Sequence, residues 1–150
     1  MKKRDLRFKH FSDAKQEIMN LKGKRIKTAG NWNFYQILCH LADGLEFMLH
    51  GGSANFIFPA FLQMTAGKLI WNFMLLQGKM LPGLPNPVKK IPEAEGDSEK
   101  EFERILSLIE EYELYTEEFF PHPVFGKLTK EEWGTLQAFH FANHLSYVSI

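Results

Sequence analysis

The C-terminal stretch of the chain constrains its fold and chemistry more than any other, because it joins a helix start signal to a pair of histidines. Thr129 is followed three residues later by Glu132, a capping box that predicts the start of a helix. At about 100° per residue, His140 and His144 share one helical face with Trp133, the face that a helix turns toward a core. Two imidazoles at i and i+4 can bind one divalent metal ion. A complete site needs at least one more ligand.

Composition indicates one globular domain, residues 1–150, in which 45% of the residues are hydrophobic and 24% are charged. The 18 basic and 18 acidic residues cancel, so we expect neither a nucleic-acid partner nor a membrane partner. A single cysteine, Cys39, excludes an internal disulfide and fits a reducing, cytoplasmic setting. The N-terminus has no signal-like apolar segment. Lys68 and other polar residues interrupt the most apolar run, residues 56–76, which favours a buried helix over a membrane span.

Helical periodicity and start signals predict a chain of helices. The predicted helices, with their start signals, cover residues 13–21 (capped by Ser12), 32–50 (capped by Asn31), 58–76 (Pro59 in the first turn), 98–120 (a Ser98–Glu101 capping box) and the C-terminal stretch from Thr129. A proline-rich crossover, residues 78–97, lacks periodicity and either spans the end of a bundle or covers a site. No stretch alternates like a strand. The predicted fold is all-α, a helical bundle with a short extra N-terminal helix.

The third predicted helix is expected to bury an apolar face formed by Phe61, Leu62, Leu69, Phe73 and Leu76. Met48, Met64 and Met74 are expected to fill the core, and the three tryptophans are interpreted as packing residues. Trp133 has a second interpretation, since it shares the histidine face and can wall a pocket.

The second helix offers a third imidazole, His40, at the edge of its apolar face. Gly44 lies one turn further on and leaves space beside that ring for a ligand or a closely packed helix. A single histidine on an apolar face is more often a core residue with a satisfied hydrogen bond, so His40 alone does not establish a metal site. Cys39 points about 100° away and is interpreted as a buried thiol. His10 and His50 are interpreted as exposed.

Three segments carry a family resemblance: N-W-N-F-Y-Q-I-L-C-H-L-A-D-G-L-E at 31–46, P-H-P-V-F-G-K-L-T-K-E-E-W at 121–133, and L-Q-A-F-H-F-A-N-H-L at 136–145. In order and spacing they resemble the DinB-like (DinB/YfiT) superfamily of metalloenzymes, and more narrowly its domain-of-unknown-function family 1569. The resemblance implies a four-helix bundle in which His40, His140 and His144 hold a metal, and many relatives form homodimers. Relatives with assigned activity include thiol-dependent transferases and isomerases. This chain departs from the pattern at Asn143, where narrower relatives often carry another histidine.

Three imidazoles leave one or two open positions on Zn²⁺ or Ni²⁺, which a catalytic metal needs. The leading hypothesis is metal-assisted thiol transfer or hydrolysis on a small molecule. His122, Asp43 and Asn143 are candidate outer-shell or proton-transfer residues. His122 can equally be a loop anchor, and Asp43 is expected at the surface, although it lies within one turn of His40. The alternative is a non-catalytic bundle that binds a small molecule or acts through homodimerisation, so whether the protein is an enzyme is left open.

Overall fold

The computed structural model describes residues 2–88 and 92–150 and is mostly helical. The helices are α1 (Phe11–Leu21), α2 (Phe34–His50), α3 (Ala60–Leu62), a π-helical turn (Gln63–Gly67), α4 (Lys68–Gln77), α5 (Ser98–Leu114) and α6 (Lys130–Leu145). The segment α3, the π-helical turn and α4 follow one another without a break. Two short strands, β1 (Lys27–Thr28) and β2 (Val148–Ser149), pair antiparallel. Periodicity missed these strands because two residues are too few to alternate visibly.

Side-chain caps set where the helices begin, and the predicted caps of α2 and α5 were wrong by a small offset. The Asn33 side chain, not that of Asn31, accepts the Gln36 N–H of α2, and Asp97 rather than Ser98 caps α5. In both cases the capping oxygen belongs to the residue directly before the first helical turn, where it can reach the free N–H groups. The capping box of Thr129 and Glu132 is confirmed.

The first and the fifth helix also differ from their predicted limits. Helix α1 begins at Phe11, with His10 and not Ser12 as its cap residue, and the Asp13 carboxylate accepts the His10 N–H. Helix α5 ends at Leu114, before residue 120, because Tyr115 adopts an extended backbone. The Lys130 ammonium donates to the carbonyls of Glu113 and Tyr115, so the free carbonyls at this helix end have a partner.

The core lies where α2 packs against α5 and α6, with α1 closing the open side against α6 and α5. Fully buried side chains from each of these helices meet there: Ile18, Leu38, Leu41, Leu45, Ile105 and Leu145. The strand pair joins the segment after α1 to the C-terminus, which fixes the start of α2 beside the end of α6. Among the described residues, no helix combines the length and the apolar character needed to cross a bilayer.

The predicted apolar face of the third helix was wrong. Phe61, Leu69, Phe73 and Leu76 are 66%, 72%, 48% and 79% exposed, and Met64, expected in the core, is 77% exposed. The buried positions of this segment are Gly67, Trp71 and Met74. Apolar residues occur on both sides of the segment, so hydrophobicity alone could not indicate which side packs inward. Gly67 determines that side, since a Cβ there would lie 2.4 Å from the Val124 carbonyl oxygen.

Candidate metal centre

His40 of α2 and His140 and His144 of α6 meet in one cluster, named here the histidine triad. Their ring centroids form a nearly equilateral triangle, with sides of 4.8 Å (His40–His140), 4.5 Å (His40–His144) and 4.8 Å (His140–His144). The Nε2 atoms of His40 and His140 are 2.9 Å apart. Residues a hundred positions apart in the chain therefore bring three imidazoles to one point of the fold.

Gly44 allows the two helices to approach closely enough for this. A Cβ built on Gly44 would lie 3.2 Å from Cε1 and 3.4 Å from Nδ1 of His140. The His140 ring thus packs directly onto the backbone of α2, one turn after His40. The space that the sequence indicated beside His40 is filled by a ring of the neighbouring helix.

Trp32, expected only to pack, forms a wall of the histidine triad. Its ring stacks on His144 at 5.7 Å between centroids and an interplanar angle of 14°, and meets the edge of His40 at 5.0 Å. The strand pair and the bond from the Ala29 N–H to the Tyr147 carbonyl hold this segment against the end of α6. Local sequence patterns do not predict this contact, because it depends on the pairing of two strands that are only two residues long each.

Burial keeps the triad imidazoles neutral. Desolvation lowers the pKa of His40 to about 4 and that of His144 to about 3. The pKa of His140 is also held well below its usual value, first by burial and then by repulsion from the other two rings. A neutral imidazole is the form that binds a metal ion, so the cluster does not have to lose protons at neutral pH before it can act as a donor set.

The donor set fits a divalent metal ion after a small adjustment. One nitrogen from each triad residue lies within 4.8 Å of the other two. In the tetrahedral arrangement typical of zinc, two nitrogens at about 2.1 Å from the ion lie about 3.4 Å apart. Side-chain movements that shorten the longest of these separations by up to about 1.4 Å therefore bring all three within bonding range. The structure shows that these side chains can hold a metal; that they do so stays a prediction.

Asp43 was expected at the surface and is instead buried, 6% exposed. The Arg104 guanidinium of α5 donates to the Asp43 carboxylate at 2.7 Å, and it also pairs with Glu46 and Glu101. The prediction was wrong because the charge partner comes from a different helix. Arg104 is a residue that the sequence did not single out, and it fixes the acidic side chain one turn after His40.

His122 anchors its loop, as one of its two interpretations has it, and also lines a cavity beside the triad; the outer-shell role stays a prediction. Its Nδ1 accepts the N–H groups of Val124 and Phe125 at 3.1 and 3.2 Å, and its ring stacks on Phe125 at 4.6 Å. Because Nδ1 is the acceptor, the proton of the neutral ring sits on Nε2. Burial lowers the pKa of His122 to about 3.

The remaining candidates lie outside the triad. The Asn143 side chain accepts from the Lys3 ammonium at 3.2 Å, so the residue at the departing position bonds to the N-terminal segment. Cys39 is buried, as expected, and burial raises the pKa of its thiol. His50 is exposed and lies 3.0 Å from Glu111. His10 is exposed at the start of α1.

Two cavities meet at the triad. A cavity of about 180 Å³, named here the apolar cavity, is lined by His40 and His140 together with His122, Trp133 and largely aromatic and aliphatic side chains. Trp133 is thus confirmed as a pocket wall. The crossover, whose role the sequence left open, covers this cavity with residues 84–88. A more open cavity of about 380 Å³ lies on the other side, against Trp32, His144 and Tyr147.

The fold and the histidine cluster are typical of a helical protein that can bind a metal. Comparison with protein families gives the narrower assignment: residues 1–149 match the family described as "Protein of unknown function (DUF1569)". The chain belongs to this family, which confirms the narrower resemblance. No curated protein and no solved structure matches the chain.

Proposed function

We propose that the protein is a metal-dependent enzyme in which His40, His140 and His144 hold one divalent ion. The observation that carries the proposal is the convergence of three neutral imidazoles from two helices, two of which, His40 and His140, line an apolar cavity. Imidazole donors suit Zn²⁺ and Ni²⁺, and three of them leave room for a further ligand. Such an ion, when bound, supplies a Lewis acid that acidifies water or a thiol.

The proposed wider relationship is to the DinB-like superfamily, with its four-helix bundle. Support comes from the packing of α1, α2, α5 and α6 around one core and from the placement of the triad on the second and the last of these helices. The predicted reaction, thiol transfer or hydrolysis on a small molecule, follows from the same relationship.

Protein side chains beside the triad offer hydrogen-bonding roles. His122 lines the same cavity as His40 and His140, and its fixed tautomer makes Nε2–H a hydrogen-bond donor. Asp43, held by Arg104, places negative charge near His40 and opposes the burial effect on the pKa of that ring. We propose His122 as a group that donates a hydrogen bond to a bound molecule, and Asp43 as a positioning residue for His40.

Elemental analysis tests the proposal most simply. Protein purified without added metal and then loaded with Zn²⁺ is compared with His140→Ala and with His50→Ala. The second variant is a matched control, because His50 lies on α2 with His40 but is exposed and outside the triad. We expect near-stoichiometric metal in the wild type and in His50→Ala, and its loss in His140→Ala. Equal metal content in all three proteins would refute the site.

A non-catalytic role has its own support, the exposed apolar surface of the segment from α3 to α4 described above. Large apolar side chains that are 66–79% exposed, such as Phe61, Leu69 and Leu76, commonly mark a protein interface. The alternative proposal is a bundle that pairs with a second copy through this surface and binds a small molecule in its cavity. A homodimer is compatible with both proposals, and sedimentation velocity tests it.

A further inference from the structure

The apolar cavity has the size of a small ring compound. Its volume is about 180 Å³, and apolar cavities of roughly 150 Å³ in other proteins accept benzene. Phe47, Phe56, Phe58 and Phe125 supply aromatic wall surface, and residues 84–88 of the crossover close over it. A molecule that fills this space is therefore surrounded by carbon on most sides.

The cavity wall also lacks carboxylate, ammonium and guanidinium groups, because none of its described lining residues is Asp, Glu, Lys or Arg. In the metal-free protein, a charged group moved here from water would lose its hydration without gaining a counter-ion, which strongly disfavours its entry. The part of a ligand that enters the cavity has to be neutral.

Trp133 and Gln137, which both line the cavity, each carry one buried polar atom without a hydrogen-bond partner among the described residues. The atoms are Nε1 of Trp133, a residue that is 2% exposed, and Oε1 of Gln137, a residue that is 3% exposed. The Gln137 amide nitrogen donates to the Gly44 carbonyl at 3.4 Å, which leaves the amide oxygen free to accept. The two residues are four positions apart on α6 and share one face. One is a donor, and the other is an acceptor.

We propose that the apolar cavity binds a neutral molecule, about the size of one aromatic ring, that carries a single hydroxyl-type group. The hydroxyl both accepts and donates a hydrogen bond, so it matches the indole N–H of Trp133 and the amide oxygen of Gln137. A buried polar atom without a partner is unfavourable, so a ligand that bonds to both atoms is preferred over a pure hydrocarbon.

This inference names the substrate class of the proposed enzyme, and in that sense it rests on the proposed function. The cavity ends at His40 and His140, so its occupant lies beside the proposed metal site. A hydrophilic second reactant, such as a thiol compound, is too polar for this space and would approach through the more open cavity at His144. The binding step itself needs no metal.

The test uses the full chain stripped of metal with a chelator, and three probes of similar size: benzyl alcohol, toluene and benzoate. Ligand-observed NMR titration measures each dissociation constant. We expect benzyl alcohol to bind best and benzoate at least tenfold more weakly. Trp133→Phe and Gln137→Leu should weaken benzyl alcohol by roughly three- to tenfold and leave toluene nearly unchanged, since each removes one hydrogen bond. Trp71→Phe is the matched control, because Trp71 is buried but outside the cavity wall, and it should change neither value.

The outcomes separate this inference from the metal proposal. If benzoate binds as tightly as benzyl alcohol, or if no probe binds, or if the two polar variants do not distinguish alcohol from toluene, the inference is wrong. Zn²⁺ content is measured on the same preparations before chelation. If the protein contains metal but binds no probe, the metal site is supported and the ligand class is refuted. If it binds the probes but contains no metal, the ligand class is supported and the metal site is refuted.

Discussion

The substitution Gly44→Ala is expected to disturb the geometry of the histidine triad while leaving the stability of the fold nearly unchanged. Gly44 has no positive φ angle, so alanine is compatible with its helical backbone, and the substitution should by itself stabilise α2 by about 1 kcal/mol. The new Cβ, however, would lie 3.2 Å from Cε1 of His140, which is closer than ordinary van der Waals contact. The imidazole must move by a few tenths of an ångström, and its Nε2 moves with it.

Metal–nitrogen distances tolerate only about 0.2 Å. We therefore expect Gly44→Ala to weaken Zn²⁺ binding by about 10- to 100-fold, or roughly 1.4–2.8 kcal/mol, while the metal-free protein stays within about 1 kcal/mol of the wild type in urea unfolding. Competition with a chromophoric chelator measures the affinity. A variant that binds Zn²⁺ as tightly as the wild type would show that the His140 position does not limit the site.

Gly134→Ala provides the converse control on α6. A Cβ at Gly134 would lie 2.5 Å from the hydroxyl oxygen of Tyr112, whose hydroxyl donates to the Lys130 carbonyl at 2.8 Å. We expect this variant to lose about 1 kcal/mol of stability through that hydrogen bond and to keep its Zn²⁺ affinity. A loss of affinity as large as that of Gly44→Ala would indicate a general effect of helix packing.

Three further predictions concern acid stability, packing and assembly. The pKa of His122 is about 3 when folded and 6.5 when unfolded, so the unfolded chain binds more protons between these values and stability falls as pH drops below 6.5. His122→Asn retains a hydrogen-bond acceptor. In urea unfolding with a chelator present, the wild type should lose about 2–3 kcal/mol more stability than this variant between neutral pH and pH 4.5. An unchanged pH profile would contradict this. Gly67→Ala should lower the melting temperature despite alanine's helix propensity, because the Val124 carbonyl blocks the new Cβ, and a higher one would contradict the packing. If two copies pair through the α3–α4 surface as proposed, the wild type should sediment as a dimer and the double variant Leu69→Glu, Leu76→Glu as a monomer; a variant that stays dimeric would exclude this surface.

Features that depend on short spans of sequence were the most predictable. Three features can be recognised from residues within one or two helical turns. They are the Thr129 capping box, the common face of His140 and His144, and the small residue Gly44 beside His40. Together with the family resemblance they were enough to propose the triad. The convergence itself required α2 to pack on α6, which local spacing does not specify.

Features that depend on contacts between distant segments were missed. Asp43 looked like a surface residue because its partner, Arg104, lies sixty-one positions away on α5. The outward side of α4 looked like a core face because apolar residues occur on both sides, and the inward side is set by close packing of Gly67 against a distant loop at Val124. No periodic pattern in the sequence predicts that the crossover lies over the cavity, because its prolines indicate irregular backbone but not the direction in which the chain runs.

X-ray absorption spectroscopy of the Zn²⁺-loaded protein tests the histidine triad most directly. The account predicts three imidazole nitrogens at about 2.0–2.1 Å from the metal, and one fewer in His144→Ala. Fewer than three imidazoles in the wild type, or a sulfur ligand from Cys39, would contradict it.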